Sequence, residues 1–228
     1  GNDGGAFYIN GKDNIINNSK INHNTADVSV AGAVYIYMDA DNITIANTEF
    51  NENSVVDSQG SGAAIRVDGN NVEILNSEFN KHDADQGGAI HWIGANGTIS
   101  DSNFTENSAQ IFGGAVYWEG VNGTVNGCEF NENDAKNSAG AIYIAKDLLI
   151  NDTKFNKNTA GNFAGAISIE TDNVTVIHSE FNQNHAKQAG AIKISGRNNT
   201  IESSEFNDNN ATEESPYGVY GGGAILIS

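Results

Sequence analysis

Tyr35, Tyr37, Arg66, Asp68, His91, Tyr117 and Glu119 are the side chains in this sequence best equipped for chemistry. Together they supply two carboxylates, a guanidinium, an imidazole and three phenols. Two carboxylates about 5 Å apart cleave glycosidic bonds with retention, and a pair roughly 6.5–9.5 Å apart does so with inversion. An arginine near them is the usual base of a polysaccharide lyase, and only Arg66 and Arg197 are available for that role. Lacking such a pair, the same set suits recognition of sugars or proteins. A sugar ring needs a flat apolar surface edged by hydrogen-bonding groups. Tyr8 and Tyr143 stand at equivalent positions and extend the stripe.

Those positions are equivalent because the chain repeats. The stretch Ala139–Phe163, AGAIYIAKDLLINDTKFNKNTAGNF, is the unit. Its phenylalanine recurs at Phe50, Phe79, Phe104, Phe130, Phe155, Phe181 and Phe206, with Ile21 in the same role earlier. The last five steps are 25 or 26 residues. A Gly-Ala turn recurs in step, giving about eight units and the start of a ninth. Apolar residues alternate with period two inside each unit, over segments too short for helices. Equivalent positions form inward columns: Ile142 and Ile144 with their counterparts, then Ile74, Ile99, Val125 and Ile150. The residue between the first two columns is mostly polar and points out. The spacing predicts an all-β fold, a single-stranded right-handed parallel β-helix of about eight coils, with three strands per coil. Adjacent coils then lie about 4.8 Å apart, so the rod is about 40 Å long.

Three further columns carry expectations. Asn24, Asn53, Asn107, Asn133, Asn158, Asn184 and Asn209 predict an asparagine ladder, because an amide both donates and accepts. His82 interrupts that column and predicts a local defect rather than a metal site. Cys128 falls among Ser19, Thr48, Ser77, Ser102, Thr153, Ser179 and Ser204, so it stands in for an inward hydroxyl. Trp92 and Trp118 occupy adjacent coils of an inward column and are expected to stack in the core. The outward column Lys20, Glu49, Glu78, Asn103, Glu129, Lys154, Glu180 and Glu205 is expected to be an acidic solvated face, without calcium.

Composition narrows the function classes. The net charge is −18, which argues against nucleic acid and anionic membrane as partners. One cysteine excludes an internal disulfide framework and a cysteine metal cluster. No apolar run approaches the roughly 18 residues of a membrane helix. No cofactor and no metal are expected. Sequons fall at Asn17, Asn42, Asn96, Asn103, Asn122, Asn151, Asn173, Asn198 and Asn210, several in one turn, which makes them candidate glycosylation sites. The connections Val56–Ser61 and Thr212–Gly221, the latter with Tyr217 and Tyr220, are the longest, and insertions in solenoids gather on one face. Residues 1–228 are expected to form one repeat domain uncapped at both ends, either cut from a longer array or stacking end to end on further copies.

The two signatures of each unit stand as Gly87-Gly88-Ala89-Ile90 with Phe104-Thr105-Glu106-Asn107, and as Gly113-Gly114-Ala115-Val116 with Phe130-Asn131-Glu132-Asn133. They resemble the GGAI and FxxN repeats of the chlamydial polymorphic membrane proteins, which are autotransporter adhesins. The asparagine-rich, cysteine-poor version is similar to the adhesin-like surface proteins of methanogenic archaea. The resemblance implies a β-helix passenger or stalk on the outside of a cell, non-catalytic, with surface glycans or proteins of other cells as partners. A polysaccharide lyase or hydrolase and a filament subunit remain the alternatives. None of the motifs NTD, DD, GHG and RIK of the pectinase-type hydrolases occurs. Asp68 and Glu119 stand two coils apart, about 10 Å.

Overall fold

A computed structural model describes residues 4–26, 30–56, 60–212 and 223–228. The Thr212–Gly221 connection, Tyr217 and Tyr220 included, lies outside these residues apart from Thr212, as does the middle of the Val56–Ser61 connection. Among the described residues there is no helix. Strands pair in parallel with their counterparts one coil away, in the register that the repeat dictates: Phe79 with Phe104, Phe104 with Phe130, Ile99 with Val125, Val125 with Ile150. The chain is a parallel β-solenoid of about eight coils.

Each coil contains four strands rather than the three the repeat suggests, and the sheets hold nine, eight, eight and eight strands. The additional strand is the two or more residues after the ladder asparagine, such as Asp134–Ala135 paired with Thr159–Ala160. A single residue in the left-handed region turns the chain just before that asparagine: Glu132 (φ 56°), Lys157 (φ 55°) and Gln183 (φ 57°). A corner made by one residue frees the next residues to pair, which a longer turn would have consumed. A second such corner, at Asn76, Asp101, Gly127 and Asp152, precedes the inward hydroxyl column.

The inward columns form one continuous core. Ile74, Ile99, Val125 and Ile150 are all fully buried. Rings from Phe50 to Phe206 lie flat on one another, with centroids 4.6–5.1 Å apart and planes within 8°. Fully burying each ring contributes about 1.5–3 kcal/mol. Trp92 and Trp118 also stack, at 4.7 Å and 18°, and their indole N–H groups donate to Gly94 O at 3.1 Å and Gly120 O at 2.8 Å. The larger rings are accommodated across the same coil. The column Ile43, Val72, Leu148 and Val174 becomes glycine at Gly97 and Gly123, in the two tryptophan coils only. A Cβ at either glycine would collide with the indole ring.

The polar columns are satisfied internally. Along Asn107, Asn133, Asn158 and Asn184, each Nδ2 donates to Oδ1 of the next coil's asparagine at 2.9–3.0 Å. The same Nδ2 also donates to a phenylalanine carbonyl of the preceding coil at 2.9–3.0 Å. His82 keeps part of this pattern. Its Nδ1 accepts from the Asn53 backbone N–H at 3.1 Å and its Nε2–H donates to Phe50 O at 3.2 Å. The bonds that disappear are those between side chains, on both sides of His82, and the defect is confined to them. Burial pushes the His82 imidazole down to about 4 and holds it neutral. Cys128 donates to Asn126 O at 3.4 Å just as Thr153 Oγ1 donates to Asn151 O at 2.9 Å, and burial pushes its thiol up to about 12. It is an inert hydroxyl substitute.

Trp118→Ile should lower the unfolding midpoint by an amount equivalent to about 3 kcal/mol, and Gly123→Val by about 1–3 kcal/mol. The double variant should recover most of both losses, as read by urea unfolding. For His82 the folded pKa lies below the unfolded value of about 6.5, so the unfolded chain binds the extra proton. Its contribution is complete above pH 6.5 and is lost as pH falls towards 4. His82→Asn should flatten stability across that window, by up to about 3 kcal/mol, and restore the missing side-chain bonds.

Candidate functional site

The outer face of the first sheet holds the seven chemically capable residues. Strand register places Tyr35, Arg66, His91, Tyr117 and Tyr143 side by side in successive coils. Tyr37, Asp68 and Glu119 follow directly after the ends of their strands, and their contacts with the column bring them onto the same face. One chain of contacts runs through the set. Tyr35 Oη donates to Asp68 Oδ2 at 2.7 Å, and Arg66 Nε donates to Asp68 Oδ1 at 2.9 Å. Arg66 Nη1 donates to Ser61 Oγ at 2.9 Å and approaches His91 Nδ1 at 3.5 Å. His91 Nε2 meets Glu119 Oε2 at 3.0 Å, and Tyr117 Oη donates to Glu119 Oε1 at 3.4 Å. Tyr37 joins through its ring, 5.9 Å from Tyr35 and 5.7 Å from Tyr8.

The expectation that the whole first-strand column faces solvent needs correction. Tyr35 and His91 are buried, and Ser168 in the same column is fully so. Their neighbours on the face are large and close, so the side chain between them is covered laterally. The stripe also has a flank that the repeat did not announce. Residues just before each Gly-Ala turn form a column of their own, joined by parallel bridges from Ser61 to Gln86 and from Phe112 through Ser138 and Phe163 to Gln188. Phe112 leans from it onto Tyr143 at 4.6 Å and Tyr117 at 6.4 Å, and Tyr117 stacks on Tyr143 at 5.1 Å. Ser61, Arg66's partner, belongs to that column too. Two aromatics at that position, Phe112 and Phe163, were the available signal. Further along the face Lys193 pairs with Glu170 at 2.5 Å and sits 5.4 Å from the Phe163 ring centroid.

Charge in the site follows from these partners. Arg66 can only donate, so His91 Nδ1 accepts and Nε2 carries the proton given to Glu119. Burial, aided by Arg66, holds the His91 imidazole below its ordinary value, while Glu119 opposes that shift. The hydrogen bond from His91 holds the Glu119 carboxyl below the usual carboxylate range. Burial first, and a neighbouring carboxylate next, push the Tyr35 and Tyr117 phenols up. At neutral pH the face therefore contains neutral His91, ionised Glu119 and un-ionised phenols. Among the described residues no cluster of three or more His, Cys, Asp or Glu is placed to hold a metal ion.

The sequons divide by position. Asn42, Asn96, Asn122, Asn173 and Asn198 are exposed and occupy one left-handed corner, with φ between 55° and 62°. Asn96 Nδ2 donates to Asn71 Oδ1 at 3.0 Å and Asn122 Nδ2 to Asn96 Oδ1 at 3.3 Å, so part of this corner is an outer amide ladder. Asn17, Asn103 and Asn210 are exposed on strands, and Asn151 is half-buried with its Nδ2 given to Asn126 Oδ1 at 2.7 Å. The acidic column is relieved by cross-coil pairs, Lys20–Glu49 at 2.5 Å and Lys154–Glu180 at 3.5 Å.

No family model matches this sequence, so the resemblance to the chlamydial and archaeal repeat proteins gains no support from that comparison, and no curated protein matches it either. Among solved structures the chain is similar to PfbA, a surface adhesin of Streptococcus pneumoniae, at 12% identity and a TM-score of 0.40, over 86% of this chain and 71% of that one.

The two partners of His91 act on it in opposite directions, Arg66 lowering its pKa and Glu119 raising it. Arg66→Ala should raise the His91 pKa, and Glu119→Gln should lower it further. Ring nitrogen shifts followed by NMR between pH 8 and 4 would show both.

Proposed function

We propose that the chain is a non-catalytic, adhesin-like recognition rod displayed outside the cell, binding glycans or glycan-bearing proteins of other surfaces through the outer face of its first sheet. The observation that carries this reading is the unbroken contact chain from Tyr8 and Tyr35 through Asp68, Arg66, His91 and Glu119 to Tyr117 and Tyr143. It fixes aromatic rings and hydrogen-bonding groups on a stiff backbone before any ligand arrives, and preorganisation lowers the entropy lost on binding.

The polar groups favour binding over chemistry. A glycosidase needs one carboxyl kept protonated as the acid, whereas Glu119 is held ionised by His91. Asp68 already accepts from both Tyr35 and Arg66. The strands of Asp68 and Glu119 stand two coils apart, about 10 Å, which is borderline even for inversion. A lyase arginine would have to leave its hydrogen bonds to Asp68 and Ser61. The exposed corner sequons fit an extracellular setting, in which Asn42, Asn96, Asn122, Asn173 and Asn198 would carry glycans at the corner that follows the first sheet.

On a glycan array the protein should bind a restricted set of sugars without releasing product. A Tyr37→Ala, Phe112→Ala double variant should lose at least tenfold in affinity, since each ring contributes on the order of 1 kcal/mol. Release of shortened or unsaturated sugars, or full binding by the double variant, would overturn the reading.

A further inference from the structure

The aromatic residues of the face fall into two shelves rather than one. Tyr8, Tyr35 and Tyr37 form the first, with centroids 5.6–5.9 Å apart. Rings this close leave no room for a cation between them, so the cluster is a solid platform and not a cage. Phe112, Tyr117 and Tyr143 form the second. The coils between carry no tyrosine, phenylalanine or tryptophan on this stripe: Arg66 with Asp68, then His91 with the exposed Ile93. In axial order the face therefore reads phenol ring, ion pair, imidazole with Ile93, phenol ring, one step per coil, with about 14 Å from the strand of Tyr35 to that of Tyr117. One sugar of an extended β-linked polysaccharide advances by close to the spacing of one coil, so such a chain laid along the axis puts successive rings in step with successive strands.

Charge selects among such chains. The Arg66 guanidinium is turned to Asp68 and Ser61, and its side chain is only 18% exposed. The most accessible charge beside these groups is the Glu119 carboxylate on the coil of Tyr117, 37% exposed, on a protein of net charge −18. An acidic polysaccharide would meet repulsion in this segment, where the Arg66 guanidinium is already given to Asp68 and Ser61. A carboxylate with an open side does accept hydrogen bonds from sugar hydroxyls.

We infer that the face takes an extended, uncharged polysaccharide lying parallel to the rod, with at least four consecutive sugars spanning the two aromatic shelves and the polar groups between them. This rests on the recognition reading above and adds the ligand's charge, length and direction. Calorimetric titration would use neutral ladders of β-linked glucan, xylan, mannan and chitin oligosaccharides, from two to six units, beside oligogalacturonate and hyaluronan ladders.

Affinity for a neutral ladder should rise at least tenfold between three and five units and then level. Phe112→Leu, which keeps an apolar side chain and removes the ring, should abolish that rise. Tyr37→Ala should abolish it as well, and the unfolding midpoints of both variants should stay close to the parent. Affinity independent of length, or a preference for the acidic ladders, would overturn the inference and leave sugar recognition standing. Binding to none of the ladders, with protein ligands bound instead, would overturn it as well, and silence on every glycan would remove both.

Discussion

Parallel pairing at about 4.8 Å per coil is the constraint from which the rest of the molecule follows. It sets each side chain directly on its counterpart, so a column is stable only if its residue tolerates its own copy at that distance. Flat rings do, and the phenylalanines stack with planes almost parallel. Amides do, because each gives to one neighbour and takes from the other. Inward hydroxyls do by turning back on their own strand, and Cys128 follows them. Carboxylates repel, and where Glu49 lies beside Glu78 and Glu180 beside Glu205 a lysine of the coil before each pair offsets the charge.

The recognition face obeys the same geometry by the opposite device. In the core, neighbours are alike; on this face successive coils bring tyrosine, arginine, histidine and tyrosine, residues that complement one another. Carboxylates two positions further along supply the acceptors that these donors need. The place where the sequence repeat is least faithful to itself is therefore the place where its chemistry is richest.

Much of this was legible because period and stacking are written in residue type. Register, the buried columns, the tryptophan pair and the role of Cys128 all follow from column alignment. The fourth strand was not legible, since its corner is made by Glu132, Lys157 and Gln183, residues with no turn signature. The pairing of Tyr35 with Asp68 and of His91 with Glu119 depends on diagonal contacts across coils, which column alignment ignores. Phe112 carries no such mark, because its column mixes serine, glutamine and phenylalanine and no single residue type identifies it.

Coils touch only their immediate neighbours, so the interfaces act as links in series. The link between the coils of Asn53 and His82 lacks the inner ladder's side-chain bond, and its fourth-sheet strands share one paired position, Asp83 with Ser54. Its second-sheet strands share five, and Asn80 Nδ2 donates to Asn51 Oδ1 across it at 2.9 Å. A rod loaded along its length parts where a single joint is thinnest, whatever the strength of the others. Long pairing on one side of the coil thus offsets the gap that His82 leaves on another, and the layer holds.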